Sequence, residues 1–453
     1  MEFWKLKVAD YGKIKTAEIE MAPLTLFVGD NNSGKSYLLS LLWGIENFGL
    51  DLILGNEYIH SQEVDEISEW LTEQIREAKN NVGVEHIVSV EEIGERLETV
   101  LNSELKKKKN RLVQAIFNSE NISIGSMEII FGGVKRNKLH FYISKKTGEF
   151  HLFADNQRHD FCLSKSLWGN EQSLKERYVL WFLIQGIYSC ILDIGISEMD
   201  ASGKIYLPAA RTGFMLTKDI INKVGRKNTF NLSSDSEPIT PFIRPINQFL
   251  DIMGDLTSEN SGSEDKKLLA DELEKEMADG KVEISSMPNK EVQYVPSGHK
   301  KGIPLRLVSA VVTELTPLIL ILKHKDRVTK FYYEEPEMCL HPQLQHKMGK
   351  FICRAVNSKI SMIITTHSDI IIQHINNMIK LMQRENQKDI YDEFLYTERD
   401  LLSCDQVKIY QLEVTRKGKT EVTELKCGPD GFVVPTFNDA LMEIMEEAYK
   451  IQG

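Results

Sequence analysis

Three short segments of this chain are predominantly apolar and end abruptly in polar residues. They are PLTLFV (23–28) before GDNNSGKS, VTKFYY (328–333) before EEPE, and SMIIT (361–365) before THS. Runs of this length read as strands buried on both faces, the pattern of a parallel sheet. Each is followed by apolar residues at 3- and 4-spacings, as in SYLLSLLWGIENF after the first, which predicts a helix. Residues 60–118 carry the same helical spacing with dense charge, in SEWLTEQIREAKN and SVEEIGERLETVLNSELKKKKNRLVQAIF. Residues 122–155 alternate instead, and the KKTGE turn marks a hairpin, so a small antiparallel sheet is predicted there. The segment 171–198 contains YVLWFLIQGIYSCILDIGI, whose Gln185 and Asp193 favour a buried helix over a membrane span. Residues 256–270 are polar and read as a mobile loop. GKVEISSMPNKEVQYVPSGHKKGIPL reads as strands leading into a helix opened by Ser309, and the last eighty residues give a helix, a hairpin and a final helix.

The polar ends of the three apolar strands carry the candidate chemistry. GDNNSGKS fits G-x-x-x-x-G-K-[ST] in full. Glycines let backbone N–H groups converge on phosphate oxygens, and a helix starting there adds its partial positive charge. Gly29, Asn31, Asn32, Ser33, Gly34, Lys35, Ser36 and Tyr37 are therefore the candidate ATP-binding residues, with Lys35 aimed at the β/γ-phosphates and Ser36 at Mg²⁺. Glu334 and Glu335 end the second strand. The first carboxylate is the candidate second Mg²⁺ group, and the second is the candidate for polarising the attacking water. His367, at the end of the third strand, can reach a γ-phosphate bound at the switch point of a parallel sheet.

These motifs in this order resemble the ABC-type ATPase heads of the SMC/RecF group, and more narrowly the OLD-like AAA-15/AAA-21 ATPases of bacterial phage defence. The opening KLKVADYGKIKTAEIEMAPLTLFVGDNNSGKS resembles that family's first β-hairpin running into the phosphate loop, and YLPAARTGFML (206–216) its internal strand. The resemblance covers roughly 1–55 and 200–435. It implies a mixed α/β P-loop fold whose signature serine acts across a dimer on the partner's γ-phosphate. The matching position is Ser309, although Val308-Ser309-Ala310 departs from the usual Ser-Ser-Gly or LSGGQ, and an ordinary N-cap role stays open. Arg211 sits where the family strand approaches the site, as a phosphate sensor or as a salt bridge beneath it. OLD nucleases carry a TOPRIM domain after the ATPase. Residues 376–453 lack its Glu and DxD pattern, so no nuclease chemistry is expected in this chain.

The implied organisation is an ATPase head built from 1–55 and 201–435, an inserted helical and small antiparallel β subdomain at 56–200, and a C-terminal helix at 436–453. Composition adds limits rather than detail. With 453 residues, 42% hydrophobic and 27% charged, the chain has room for two or three domains. A net charge of -11 argues against coating nucleic acid by bulk charge, while KKKKNR (106–111) remains either a local phosphate contact or a solvated helix face. Six scattered cysteines without a CxxC imply reduced thiols in a cytoplasmic protein, and no membrane segment is expected. The functional expectation is an ATPase that forms a homodimer through its ATP sites, or a larger assembly. It would serve as sensor or scaffold for a separately encoded effector, expected to be a nuclease, as the ATPase subunits of the Septu and PARIS systems do by resemblance. The alternative is a RecF/SMC-like DNA-maintenance ATPase that binds DNA directly.

Overall fold

The computed structural model describes residues 4–155, 160–168, 177–196, 203–209, 211–217, 242–256, 261–285, 291–429, 431–435 and 445–451. The chain divides into two compact units, one formed by Met1–Met21 with Leu41–Ser202 and the other by Ala22–Ser40 with Gly203–Gly453.

The second unit holds all three apolar strands. Its sheet runs in the order Thr420–Leu425, Val407–Val414, Leu24–Gly29, Ser361–Thr365, Lys330–Glu334, Lys204–Leu207. The last five are mutually parallel, and Val407–Val414 pairs antiparallel with Thr420–Leu425. Every residue of the Leu24–Gly29, Lys330–Glu334 and Ser361–Thr365 strands is buried, as predominantly apolar runs require. Because the strands are parallel, their polar ends emerge along one edge, which is where ligands bind in open α/β sheets. The helices Ala310–His324, Pro342–Asn357 and Asp369–Gln383 supply much of the surrounding core.

Three expectations change in this unit. The YLPAARTGFML segment is strand only over Lys204–Leu207, and 211–217 are helical. Pro208 has no N–H to continue a ladder, so the strand stops there. Of the polar stretch 256–270 read as a loop, 257–260 lie outside the described residues and 264–270 belong to the helix Glu264–Leu273, which buries Leu269, Ala270 and Leu273 and starts with Glu264 and Asp265 in its first turn. The cysteines also differ from the reduced set expected, since Cys404 and Cys427 are joined as a disulfide.

In the first unit, Lys5–Tyr11 pairs antiparallel with Ile14–Glu20 and also with Ile124–Ile130. The latter strand therefore leaves the small sheet predicted for 122–155. That sheet is built instead from His86–Ser89, Lys138–Ile143, Phe150–Ala154 and Asp160–Leu163. The helix Glu91–Phe117 covers Ile124–Ile130. Its Asn102 amide both donates to the Ile129 carbonyl (2.8 Å) and accepts from the Ile129 N–H (2.8 Å), satisfying backbone groups the strand exposes there. The basic run on this helix is largely engaged. Lys107 and Lys108 pair with Glu104, Lys108 also donates to the Ile53 carbonyl, and Lys109 donates to the Ile124 carbonyl. The apolar helix Arg177–Leu192 is largely buried, with Tyr178 and Phe182 exposed, and its Gln185 amide donates to the Gly55 carbonyl at 2.7 Å. Among the described residues, no helix is long and apolar enough to cross a membrane.

Candidate nucleotide site

The loop between Gly29 and Ser36 is held in a conformation that needs its glycines. Gly29 has φ +125, and a Cβ placed there would lie 2.1 Å from the Leu412 carbonyl oxygen of the neighbouring strand. Gly34 has φ +102 and Asn32 φ +60, the latter a conformation asparagine tolerates better than most residues. The helix starts at Lys35, and its first intrahelical bond runs from Leu38 N–H to the Gly34 carbonyl. The N–H groups of a first helical turn have no partner inside the helix, so they are presented to whatever the loop encloses. Ser33 Oγ is buried with no partner among the described residues. The Lys35 ammonium lies across the loop, donating to the carbonyls of Gly29 (3.0 Å) and Asp30 (2.6 Å). Asn31, Asn32, Ser36 and Tyr37 are exposed.

The acidic strand end is braced from two sides. Glu334 is 9% exposed, and its Oε2 accepts from Ala209 N–H at 2.9 Å, while its other oxygen has no partner among the described residues. Glu335 follows at φ +42, a left-handed conformation that costs a non-glycine residue roughly 1–3 kcal/mol. Its N–H donates to the Thr365 carbonyl at 2.9 Å, which fixes it to the next strand. Arg211 is fully buried beneath this turn. It donates to the carbonyls of Pro208 (2.8 Å), Glu334 (2.6 Å) and Glu335 (3.1 Å). Its Nε lies 2.8 Å from Glu314 Oε2, an ionic contact rather than a well-aligned hydrogen bond. The guanidinium also sits 4.8 Å from the centre of the Tyr333 ring. Of the two readings of Arg211, these partners correspond to the salt bridge beneath the site.

His367 presents Nε2 at 3.9 Å from Glu335 Oε1. Its position is set by a residue that the sequence alone does not single out. Glu337 is largely buried, and its carboxylate accepts from His367 N–H (2.5 Å) and from the Thr366 hydroxyl (2.9 Å). Gln345 adds a bond from Ser368 Oγ at 2.7 Å, and Ser368 caps the following helix through Ile371 N–H. The available signal was the third glutamate of EEPE, one turn past the strand, but nothing in the letters separates a buried brace from a solvated surface carboxylate.

The electrostatics tie these groups together. Burial pulls the Lys35 ammonium below its ordinary pKa, opposed by the carboxylates of Glu335, Asp30 and Glu337. Burial, reinforced by the Lys35 cation, lowers His367, which favours the neutral imidazole. Burial raises Glu337, opposed by the bonds it accepts from His367 and Thr366. Lys35, Glu335, Glu337 and His367 thus feel one another although their motifs lie some 300 residues apart in sequence.

Ser309 lies away from this cluster in its contacts. It is the exposed N-cap of Ala310–His324, and its side chain makes no capping bond. The same helix carries Glu314, the partner of Arg211.

A parallel sheet with a phosphate loop, a paired-carboxylate strand end and a histidine turn along one edge defines the P-loop nucleotide-binding class of fold. The chain belongs to the AAA ATPase domain family AAA_15, whose model matches residues 1–372. No curated protein matches the sequence. Among solved structures it is similar to an SMC head bound to the C-winged helix domain of ScpA, at 13% identity and a TM-score of 0.40, over 94% of this chain and 98% of that one. It is also similar to the SMC head domain from Thermotoga maritima, at 11% identity and TM-score 0.35, over 94% and 100%. A third, the Pyrococcus furiosus Smc head bound to the C-terminal domain of ScpA, has 12% identity and TM-score 0.39, over 99% and 100%. Likenesses at these scores carry no inference about partners or chemistry.

Proposed function

We propose that this protein binds and hydrolyses ATP with Mg²⁺, and that two copies close head to tail around the nucleotides. We propose further that it is the sensor or scaffold subunit of a bacterial anti-phage complex that controls a separate nuclease effector. The observation that carries the catalytic part is the convergence of Lys35, Glu335 and His367 at one sheet edge, with Glu337 holding the histidine turn. In this reading Lys35 exchanges its two loop carbonyls for the β/γ-phosphates, and the loop N–H groups hold the remaining phosphate oxygens. Ser36 and Glu334 would hold Mg²⁺. The donor set fits a hard cation: one exposed hydroxyl at the helix start, and one buried carboxylate with an oxygen still unpartnered among the described residues. When bound, the ion neutralises charge on the phosphates. Glu335 accepts the proton of the attacking water as its oxygen bonds to the γ-phosphorus and the bond to the β-bridging oxygen breaks. Neutral His367 donates an N–H to a γ-phosphate oxygen.

The dimer rests on Ser309, whose hydroxyl and helix N-terminus face outward with no cap bond of their own. The defence role rests on resemblance to OLD-like ATPases and on an insertion too short for a long coiled coil. Direct DNA binding through residues 106–111 would require Lys107, Lys108 and Lys109 to leave Glu104 and their backbone acceptors.

Mixing K35A with S309R subunits tests the dimer. Each variant alone has both sites broken, while a mixed dimer has one intact site, so ATP trapping and part of the hydrolysis should return. If heterodimers form and neither returns, Ser309 does not act across the interface. Purification of the tagged protein from its native operon should yield the effector. Recovery of DNA instead, in a form lost on mutating Lys107–Lys109, would favour the DNA-maintenance reading.

A further inference from the structure

The four-stranded sheet of the first unit carries a second constellation that the ATP site does not use. Along Phe150–Ala154, residues alternate between a buried face (Phe150, Leu152, Ala154) and an outer one. Glu149 and His151 are two apart and so share the outer face. Cys162 stands directly opposite His151 on the neighbouring antiparallel strand, with Asp160 two residues before it on the same face. One ligand atom each from Glu149, His151 and Cys162 lies within 4.8 Å of the others. His151 Nε2 faces Cys162 Sγ at 4.0 Å. Its other nitrogen, Nδ1, is 3.0 Å from Asp160 Oδ2.

We infer that Glu149, His151 and Cys162 form a binding site for a borderline transition-metal ion such as Zn²⁺, with Asp160 orienting the histidine. The ligand chemistry selects the ion, since thiolate, imidazole and carboxylate together suit zinc and do not suit Mg²⁺ or Ca²⁺. Zn–S and Zn–N bonds of about 2.3 and 2.0–2.1 Å at a tetrahedral angle put sulfur and nitrogen roughly 3.5 Å apart. The present 4.0 Å needs only a small closing movement of two partly exposed side chains. The Asp160 contact has the geometry of a carboxylate–histidine–metal triad: a carboxylate on Nδ1–H leaves the Nε2 lone pair directed at the metal position. Binding displaces the thiol proton: the S–H bond breaks, the sulfur electron pair is donated to the ion, and the proton goes to solvent. Three protein ligands leave one coordination position for water or for a partner's side chain. The bond would fasten Asp160–Leu163 to Phe150–Ala154 by more than their short ladder. It involves no residue of the ATP site and stands or falls separately from it.

Titration of the EDTA-treated, nucleotide-free full chain with CoCl₂ tests the site, followed by displacement with ZnCl₂. The expected result is a near-ultraviolet thiolate-to-cobalt charge-transfer band that saturates at one equivalent and is abolished by zinc. Cys162→Ser should remove the band, while Cys339→Ser, which replaces the other exposed free cysteine, should leave it. Asp160→Asn should keep the stoichiometry and weaken affinity about 10–100-fold. Thermal melts check that C162S remains folded, and His151→Gln offers a second route to the same loss. Cobalt bound only through oxygen ligands, as at Ser36 and Glu334, would show no such band. Absence of the band in the wild-type chain, or its persistence in folded C162S, overturns the proposal, and an unchanged band and affinity in H151Q removes His151 from the site.

Discussion

Removing the Glu337 carboxylate tests whether the histidine turn is held from below. The carboxylate accepts a backbone N–H at 2.5 Å and a hydroxyl at 2.9 Å. In Glu337→Ala both donors lose their acceptor. The Thr366 hydroxyl can rotate toward another partner, but the His367 N–H is fixed by the backbone. An unpaired buried donor costs about 1–3 kcal/mol, and losing the second bond adds about 1 kcal/mol. E337A should therefore lose about 2–4 kcal/mol of stability unless the turn shifts to recruit water. Glu337→Gln keeps an oxygen for the N–H and offers its NH₂ to Thr366 Oγ1, so it should lose only about 1 kcal/mol, the difference between charged and neutral acceptors. Turnover adds an independent reading. If His367 acts on the γ-phosphate, a turn freed by E337A should slow hydrolysis about 10–100-fold, which corresponds to roughly 1.4–2.7 kcal/mol of barrier. ATP affinity, set mainly by the phosphate loop, should change little. Urea unfolding with unchanged slope gives the stability loss, and single-turnover hydrolysis per folded molecule gives the rate. If E337A and E337Q both unfold at the wild-type midpoint and hydrolyse ATP at the wild-type rate, Glu337 is not a brace.

Glu335→Gln should bind ATP normally and fail to turn it over, because an amide cannot accept the water's proton; wild-type hydrolysis by E335Q would remove Glu335 from the mechanism. Gly29→Ala should cost at least about 3 kcal/mol in urea unfolding and abolish nucleotide binding, since its Cβ meets the Leu412 carbonyl in a left-handed backbone; near-normal stability would contradict the close approach. His374 is buried against His346, with Lys350, Arg354 and Asp400 nearby, and is pulled down to about 3. Below its unfolded value of 6.5 the unfolded chain takes a proton that the native chain refuses, so stability is lost as pH falls from about 6.5 toward 3. By pH 5 the loss from this one group should reach about 2 kcal/mol. His374→Asn should flatten that part of the stability–pH curve, and an unchanged slope would rule His374 out as its source.

The three strand ends were legible because each motif is local and each strand is buried on both faces. A run such as SMIIT admits few other readings once its neighbours alternate with helices. What stayed hidden depends on partners remote in sequence. Ile124–Ile130 has the alternation of a hairpin strand, and nothing in it says that its partner is Lys5–Tyr11 rather than the next strand along. His86–Ser89 has only four residues, which is too short for a period to declare itself between two long helices. Glu337 differs from Glu334 and Glu335 by burial and by what it accepts, neither of which composition encodes. The Cys404–Cys427 pairing joins residues 23 apart across a hairpin, and scattered spacing gives no sign of it.

The strand order also governs how the chain is made. Leu24–Gly29 leaves the ribosome well before its sheet neighbours: it lies between Ser361–Thr365 and Val407–Val414, both synthesised more than 300 residues later. At about 5–20 residues per second, its second neighbour emerges on the order of 20–80 s after it. Until Ser361–Thr365 arrives, a largely apolar strand, destined to be buried on both faces, has both edges open, and one edge stays open for the rest of that interval. Recombinant yield should therefore depend on translation speed, temperature and chaperone supply more than on the stability of the finished protein.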